Sequence, residues 1–283
     1  MTRTSKEEWA RPTVAVATIA SLFIAGSTVP VRAHEFWIDP LAERLLPGET
    51  ISADLRIGQN LSGAAYPYVS KTVAGMTHWS PDNVNAITAR EGDRPALNSV
   101  ATEPGLHRIT VQSHPAYIVF DDMVEFEEYL EYEGLGEIAD QHRERGLPDT
   151  EIAEAYIRNA KTLLQVGPVD TSQSDQPTDL PFELTALGNP YDADIRSLDI
   201  QLTWQDRPVP GVQVTLFHLP DGGTAPQDSR RSVLKTDTDG VVSIDLGKPG
   251  AFLLNAVRMS PVDGPGSVVW ESYWASLTFN TAR

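Results

Sequence analysis

The strongest constraint on what this chain can fold into is a period of two. Leu198, Ile200, Leu202 and Trp204 alternate with Asp199, Gln201 and Thr203, so an extended backbone there carries one apolar and one polar face. Val212, Val214 and Leu216 repeat the pattern after the turn Arg207-Pro208-Val209-Pro210-Gly211, and Val242, Ile244 and Leu246 repeat it after Asp237-Thr238-Asp239-Gly240. Ala251 to Val257 is nearly all apolar, as a central strand should be, and Tyr273, Ala275, Leu277 and Phe279 alternate near the C-terminus. Short strands broken by turn residues at this spacing predict a β-sandwich. The first part of the chain reads the same way. Ile51, Ala53, Leu55 and Ile57 alternate, His107, Ile109 and Val111 follow, and Ala116 to Phe120 forms a partner strand across Ser113-His114-Pro115.

Between these regions the period changes. Met123, Phe126, Tyr129 and Leu130 recur at helical spacing inside an acidic segment over 122–133, which Gly134 and Gly136 end. Ile152, Tyr156, Ala160 and Leu163 predict a second helix behind Pro148, with Asp149 as its N-cap. The expected fold class is therefore mainly β: two β-sandwiches, Ig-like or prealbumin-like, with an α-helical insertion between them. The expected boundaries are a signal peptide over 1–33, an N-terminal sandwich over 34–120, the helical insertion over 121–167, a polar linker over 168–181 and a C-terminal sandwich over 182–283.

The start of the chain points to export. Arg3, Lys6 and Arg11 precede an uncharged apolar run from Thr13 to Val29, and Val31-Arg32-Ala33 fits the small-x-small pattern of a cleavage site. Periplasmic or secreted localisation follows, without membrane insertion after cleavage. Cleavage there removes four basic residues (Arg3, Lys6, Arg11, Arg32) and two acidic ones (Glu7, Glu8), moving the formal charge from −17 to −19. So acidic a protein is a poor partner for nucleic acid or anionic lipid. The absence of cysteine excludes disulfides, thiolate metal ligands and cysteine nucleophiles.

Cleavage after Ala33 would leave His34 as the first residue. Its α-amino nitrogen and imidazole Nδ1 can then chelate one ion, and nitrogen donors of this kind favour Ni(II) and Cu(II) among divalent metals. Both nitrogens must be unprotonated, so affinity would fall below neutral pH. The other histidines form no His-x-His or His-x-x-x-His pair. His78, in a loop-like stretch between Thr77 and Trp79, and His114, before Pro115, are the candidates to join His34 as ligands. His107 and His218 share strand parity with apolar residues and read as partly buried and hydrogen-bonded, while His142, in Gln-His-Arg-Glu-Arg, reads as solvated. The acidic residues of 121–133 read as a solvated face, and Asp237-Thr-Asp-Gly240 as hairpin-turn chemistry rather than a calcium loop, because the distal glutamate is missing. No nucleophile elbow, phosphate loop or His-Glu-x-x-His motif occurs, so no enzyme is expected.

Several segments together resemble one family. They are His34-Glu-Phe-Trp-Ile-Asp-Pro40 after a signal, Phe126-Glu-Glu-Tyr-Leu130 through Leu135, and Asn159-Ala-Lys through Gly167. Gly188-Asn-Pro-Tyr191, Thr236-Asp-Thr-Asp-Gly240 and Trp270-Glu-Ser-Tyr-Trp-Ala-Ser-Leu-Thr-Phe279 complete the set. The family is an exported bacterial one of unknown function, whose members are labelled as periplasmic components of nickel or cobalt uptake. The C-terminal half also resembles the prealbumin-like or carboxypeptidase-regulatory sandwich. The resemblance implies a non-enzymatic binder of nickel or cobalt, with copper less favoured, partnered by a membrane transporter component and anchored by His34. Where some members carry histidine after Ile-Gly, this chain has Ile57-Gly58-Gln59. Two other readings come from different classes. One is a structural or adhesive sandwich module that binds a protein or glycan without metal; the other is a copper oxygenase built on the N-terminal histidine.

Overall fold

A computed structural model describes residues 35–282; the expected signal segment and His34 lie outside them. In chain order the strands are β1 (Glu35–Pro40), β2 (Arg44–Leu45), β3 (Thr50–Gln59), β4 (Ser62–Tyr66), β5 (Val73–Trp79), β6 (Val84–Ala86), β7 (Leu97–Val100), β8 (Gly105–Ser113) and β9 (Ala116–Asp122). Helices α1 (Met123–Glu133) and α2 (Glu137–Glu144) follow. The rest is β10 (Thr150–Val166), β11 (Phe182–Ala186), β12 (Ser197–Trp204), β13 (Arg207–Pro208), β14 (Gln213–Pro220), β15 (Arg230–Lys235), β16 (Val241–Asp245), β17 (Gly250–Pro261) and β18 (Val268–Asn280). The protein is mainly β, with two helices in the middle of the chain.

Three sheets stack. A ten-stranded central sheet runs β15-β14-β17-β18-β10-β8-β5-β6, with β2 and β9 also paired to β10. A first sheet of β1, β3, β4 and β7 covers one face, and a third of β11, β12, β13 and β16 covers the other. The alternation along β10 makes this arrangement explicit. Ala160, Leu164 and Val166 pack with Ile38, Ile51 and Leu55 of the first sheet, whereas Leu163 packs with Phe182, Ile200 and Ile244 of the third. A strand buried on both faces can be apolar on both, and its sequence need not alternate.

That explains the main departure from the expected elements. Residues 150–166 form a strand, not a second helix. Ile152, Tyr156 and Ala160 are four apart, a spacing shared by a helix face and by one side of a strand. The tertiary setting decides: β10 pairs in parallel with β18 and antiparallel with β9 and β8. The insertion is therefore helical only over Met123–Glu144, and one sheet joins elements of both expected sandwiches. α1 ends at Gly134, as its sequence suggests, and its start is fixed by a cap. Asp122 Oδ1 accepts the Glu125 amide at 2.9 Å, and Gly134 ends the helix in the left-handed region at φ 73°. Phe126, Tyr129 and Leu130 then pack on Trp270, Trp274 and Met259.

The Asp237–Gly240 segment is a turn, with Asp237 Oδ1 accepting the amides of Asp239 and Val241. It is not a hairpin, because the strands it joins, β15 and β16, lie in different sheets.

Candidate functional site

β1 crosses over the central sheet at β18. Ser276 Oγ donates to the Phe36 carbonyl at 2.7 Å and Thr278 Oγ1 to the Ile38 carbonyl at 2.8 Å. Its side chains divide: Ile38 and Phe36 join the core beneath the first sheet, while Trp37 packs on Phe217 and Leu253. Glu35 shares the parity of Trp37 and is 1% exposed, yet neither carboxylate oxygen completes a hydrogen bond among the described residues.

Two further buried glutamates bear on the same enclosure. Glu133, 3% exposed, occupies the last turn of α1, continuing the buried stripe of Phe126, Tyr129 and Leu130. Its Oε2 accepts a long 3.5 Å contact from Asn255 Nδ2, and its Oε1 has no partner. Glu154 on β10 is 1% exposed. Its Oε1 accepts from Ser272 Oγ and, at 3.3 Å, from the Tyr129 hydroxyl, leaving Oε2 unpartnered.

Burial pushes the Glu35 carboxyl up to about 7, against the pull of its own backbone amide, Arg231, the Tyr132 hydroxyl and Arg158. Tyr132 thus lies near enough to lower the value without closing a hydrogen bond of good geometry. Burial, reinforced by the charge of Glu35, pushes Glu133 up to about 8. Glu154 rises to about 7 for the same first reason, opposed by Ser272 and Tyr129. Glu133 feels both Glu35 and Glu154, and out of water all three carboxyls favour the protonated form near neutral pH, with little cationic compensation. Arg231 is stacked on Tyr132 at 4.3 Å and donates to the Tyr132 carbonyl. Gln59, one residue beyond the β3 partner of Glu35, donates to the Tyr132 hydroxyl at 3.2 Å.

The expected metal ligands are distributed otherwise. His78 is in strand β5, not a loop, and is 2% exposed. Its ring nitrogens contact Ser99 Oγ at 2.8 Å and His107 Nδ1 at 2.7 Å, and His107 Nε2 contacts the Glu103 carbonyl at 2.8 Å. The carbonyl can only accept, so the network assigns a chain of donors from Ser99 through His78 and His107 to Glu103. Burial lowers the His78 imidazole to about 4, helped by His107. His114 is exposed in the β8–β9 turn. His78 pairs with Ile109 while Ser113 pairs with Val73, so about five residues of strand, roughly 16 Å, separate the two candidates. They are not brought together, and His34 lies outside the described residues.

Among those residues, no group of three or more histidine, aspartate or glutamate side chains is arranged to hold a metal ion. His142, expected in solvent, is fully buried: Trp270 Nε1 donates to its Nδ1 at 3.1 Å and its Nε2 contacts the Pro148 carbonyl at 3.0 Å. His107 is satisfied as expected, whereas the half-buried His218 leaves Nε2 unpartnered.

Sequence reasoning placed Glu133 on a solvated acidic face, whereas it is buried; it did not single out Glu154 and noted Glu35 only as part of a motif. For Glu133 a signal existed: it stands three, four and seven residues after Leu130, Tyr129 and Phe126, on the apolar face of its helix.

Fold and site define a layered, mainly β protein with buried glutamates that lack full hydrogen-bonding partners beside its first strand. The chain belongs to the family described as Domain of unknown function (DUF4198), whose model matches residues 31–260. No curated protein matches it. Among solved structures it is similar to the D0-D1 domain of Intimin, at 15% identity over 87% of this chain and 97% of that one, with a TM-score of 0.20. It is also similar to the chicken CNTN1 FN1-FN3 domains, at 8% identity over 87% of this chain and 64% of that one, with a TM-score of 0.22.

Proposed function

We propose that the protein is a non-enzymatic periplasmic binder of a divalent transition-metal ion, nickel or cobalt, that assists uptake by a membrane transporter component. One observation carries the reading: the Glu35 carboxylate is buried with neither oxygen hydrogen-bonded, and it directly follows the residue that signal cleavage would make N-terminal. A carboxylate taken from water without a partner is held at high cost unless it keeps a proton or meets a cation. Glu133 Oε1 and Glu154 Oε2, likewise unpartnered, deepen the demand for positive charge. The imidazole and α-amino group of His34 would supply nitrogen donors and Glu35 an oxygen donor, a mixed set suited to divalent nickel or cobalt. The resemblance of the segments from His34 to Phe279 to an exported family labelled for nickel and cobalt uptake supports the same ion and compartment.

The test is a calorimetric Ni(II) titration of the protein beginning at His34, of the same protein with one residue added before His34, and of Glu35→Gln. Both changes are expected to weaken binding at least tenfold, about 1.4 kcal/mol or more. Equal affinity in all three would overturn the reading.

A further inference from the structure

On the other side of β1 the protein has a second unmet charge, of opposite sign. β10 pairs with β9 over Thr150–Tyr156 and with β8 over Leu163–Val166. Between those ladders, at residues 157–162, the chain passing from β8 to β9 bends away from β10. Ser113 Oγ bridges to the Arg158 amide at 2.9 Å, and Gln112 Nε2 to Asn159 Oδ1 at 3.1 Å. The opening leaves a cavity of about 330 Å³ between the first and central sheets, at the lower end of the roughly 300–1,000 Å³ typical of small-ligand sites. Its walls are apolar: Phe36, Leu55 and Ile57 on one side, Val111 and Tyr156 on the other.

Arg158 enters this apolar space. Its guanidinium carbon lies 4.8 Å from the Tyr156 ring centre and 6.0 Å from that of Phe36. Nε is sealed from solvent without a partner, and the guanidinium makes no hydrogen bond or ion pair with any described residue. Glu35 and Glu154 feel its field but do not close to ion-pair distance. Aromatic faces attract a cation but cannot accept its five N–H groups in the plane of the fork, as a carboxylate can. At the rim stand exposed Lys71 and His114. In a chain of net charge −17, a cavity with arginine inside, lysine at its mouth and no lining carboxylate is a local reversal of sign.

We propose that this cavity is a binding site for a small organic acid with an apolar body, its carboxylate held by Arg158 and its hydrocarbon part by Phe36, Leu55, Ile57 and Tyr156. The occupant is a free aliphatic or aromatic carboxylic acid rather than a peptide or a sugar. The walls offer apolar surface, and Arg158 offers the paired donors that match a carboxylate. The site is independent of any metal at the other side of β1.

Octanoate is the probe, with octan-1-ol and octylammonium as controls of equal chain length. Calorimetry is expected to give the order octanoate, octanol, octylammonium from tightest to weakest. Octanoate should shift the methyl resonances of Leu55, Ile57 and Val111. Arg158→Gln should weaken octanoate by about tenfold or more while changing octanol little, as expected when one charged hydrogen-bonding partner is lost. Ala116→Phe, which fills the cavity from its β9 wall, should abolish octanoate binding and leave Ni(II) affinity unchanged. Absence of octanoate binding, equal binding of octylammonium, or unchanged octanoate affinity in Arg158→Gln or Ala116→Phe would overturn the assignment. None of these results bears on metal binding through His34, so the two readings fail separately.

Discussion

Two sets of buried charge lie on opposite faces of β10, and they are treated in opposite ways. On the face toward the third sheet, Lys161 is 1% exposed and its Nζ lies 2.7 Å from both Asp175 Oδ2 and Glu183 Oε1. The carboxylates are tied down further: Asp175 accepts the amides of Gln176 and Ala186, and Glu183 accepts both the amide and the hydroxyl of Thr178. On the other face, buried Glu154 leaves Oε2 unpartnered, and buried Glu35 of β1 and Glu133 of α1 leave three more oxygens so. The first set has the form of a structural clamp, fastening the 168–181 segment to the sheet. The second leaves a demand that folding does not meet, and buried polar groups are normally satisfied. Residues equally buried in the same protein thus separate into scaffold and candidate site by their partners rather than by their burial.

Breaking the clamp should produce the largest effect. Lys161→Met strands two buried carboxylates and is expected to cost about 3–5 kcal/mol in urea unfolding; a loss below about 1 kcal/mol would erase the contrast. The enclosure should respond in the other direction. Folded Glu133 releases its proton at about 8, against 4.5 as its ordinary value. The folded state therefore binds an extra proton between those pH values, and stability falls as pH rises through that window. Glu133→Gln should raise stability at pH 8.5 by an amount on the order of 2 kcal/mol and flatten the pH dependence above 5.

The His78–His107 chain gives the next test, with the opposite sign. Folded His78 stays neutral down to about 4 and its ordinary value is 6.5, so below 6.5 the unfolded state binds the extra proton and stability declines as pH falls to about 4. His107→Leu removes the acceptor of the His78 Nε2 proton and should cost about 1–3 kcal/mol at pH 7. The smallest effect belongs to the surface. Arg143 pairs with Glu127 and Asp140 but is half exposed, so Arg143→Ala should change stability by less than about 1 kcal/mol.

Much of the fold was legible in the sequence because half-buried strands must alternate and helix ends must be capped. α1 was readable from its 126-129-130 stripe and Gly134, whereas its Asp122 cap was not singled out. β10 was not readable, because a strand covered on both faces loses its alternation, and its four-residue spacing fits either structure. The enclosure was legible only in part. Glu133 lay on a face the periodicity had already marked as buried, yet its charge suggested solvent. The influence of Glu35 on Glu133, about a hundred residues apart in the chain, depends on where β1 crosses the central sheet and could not be read locally. The same holds for His78 and His107, whose pairing follows from the β5–β8 register.

The position of β18 carries one more consequence, for the order of assembly. This strand lies between β17 and β10 in the central sheet, and β10 pairs with it in parallel across more than a hundred residues of intervening chain. The two halves of the sheet therefore cannot join until residues 268–280 have been delivered. Connections this distant in sequence make closure slow compared with local pairing. The central ladder therefore closes only when the last strand arrives.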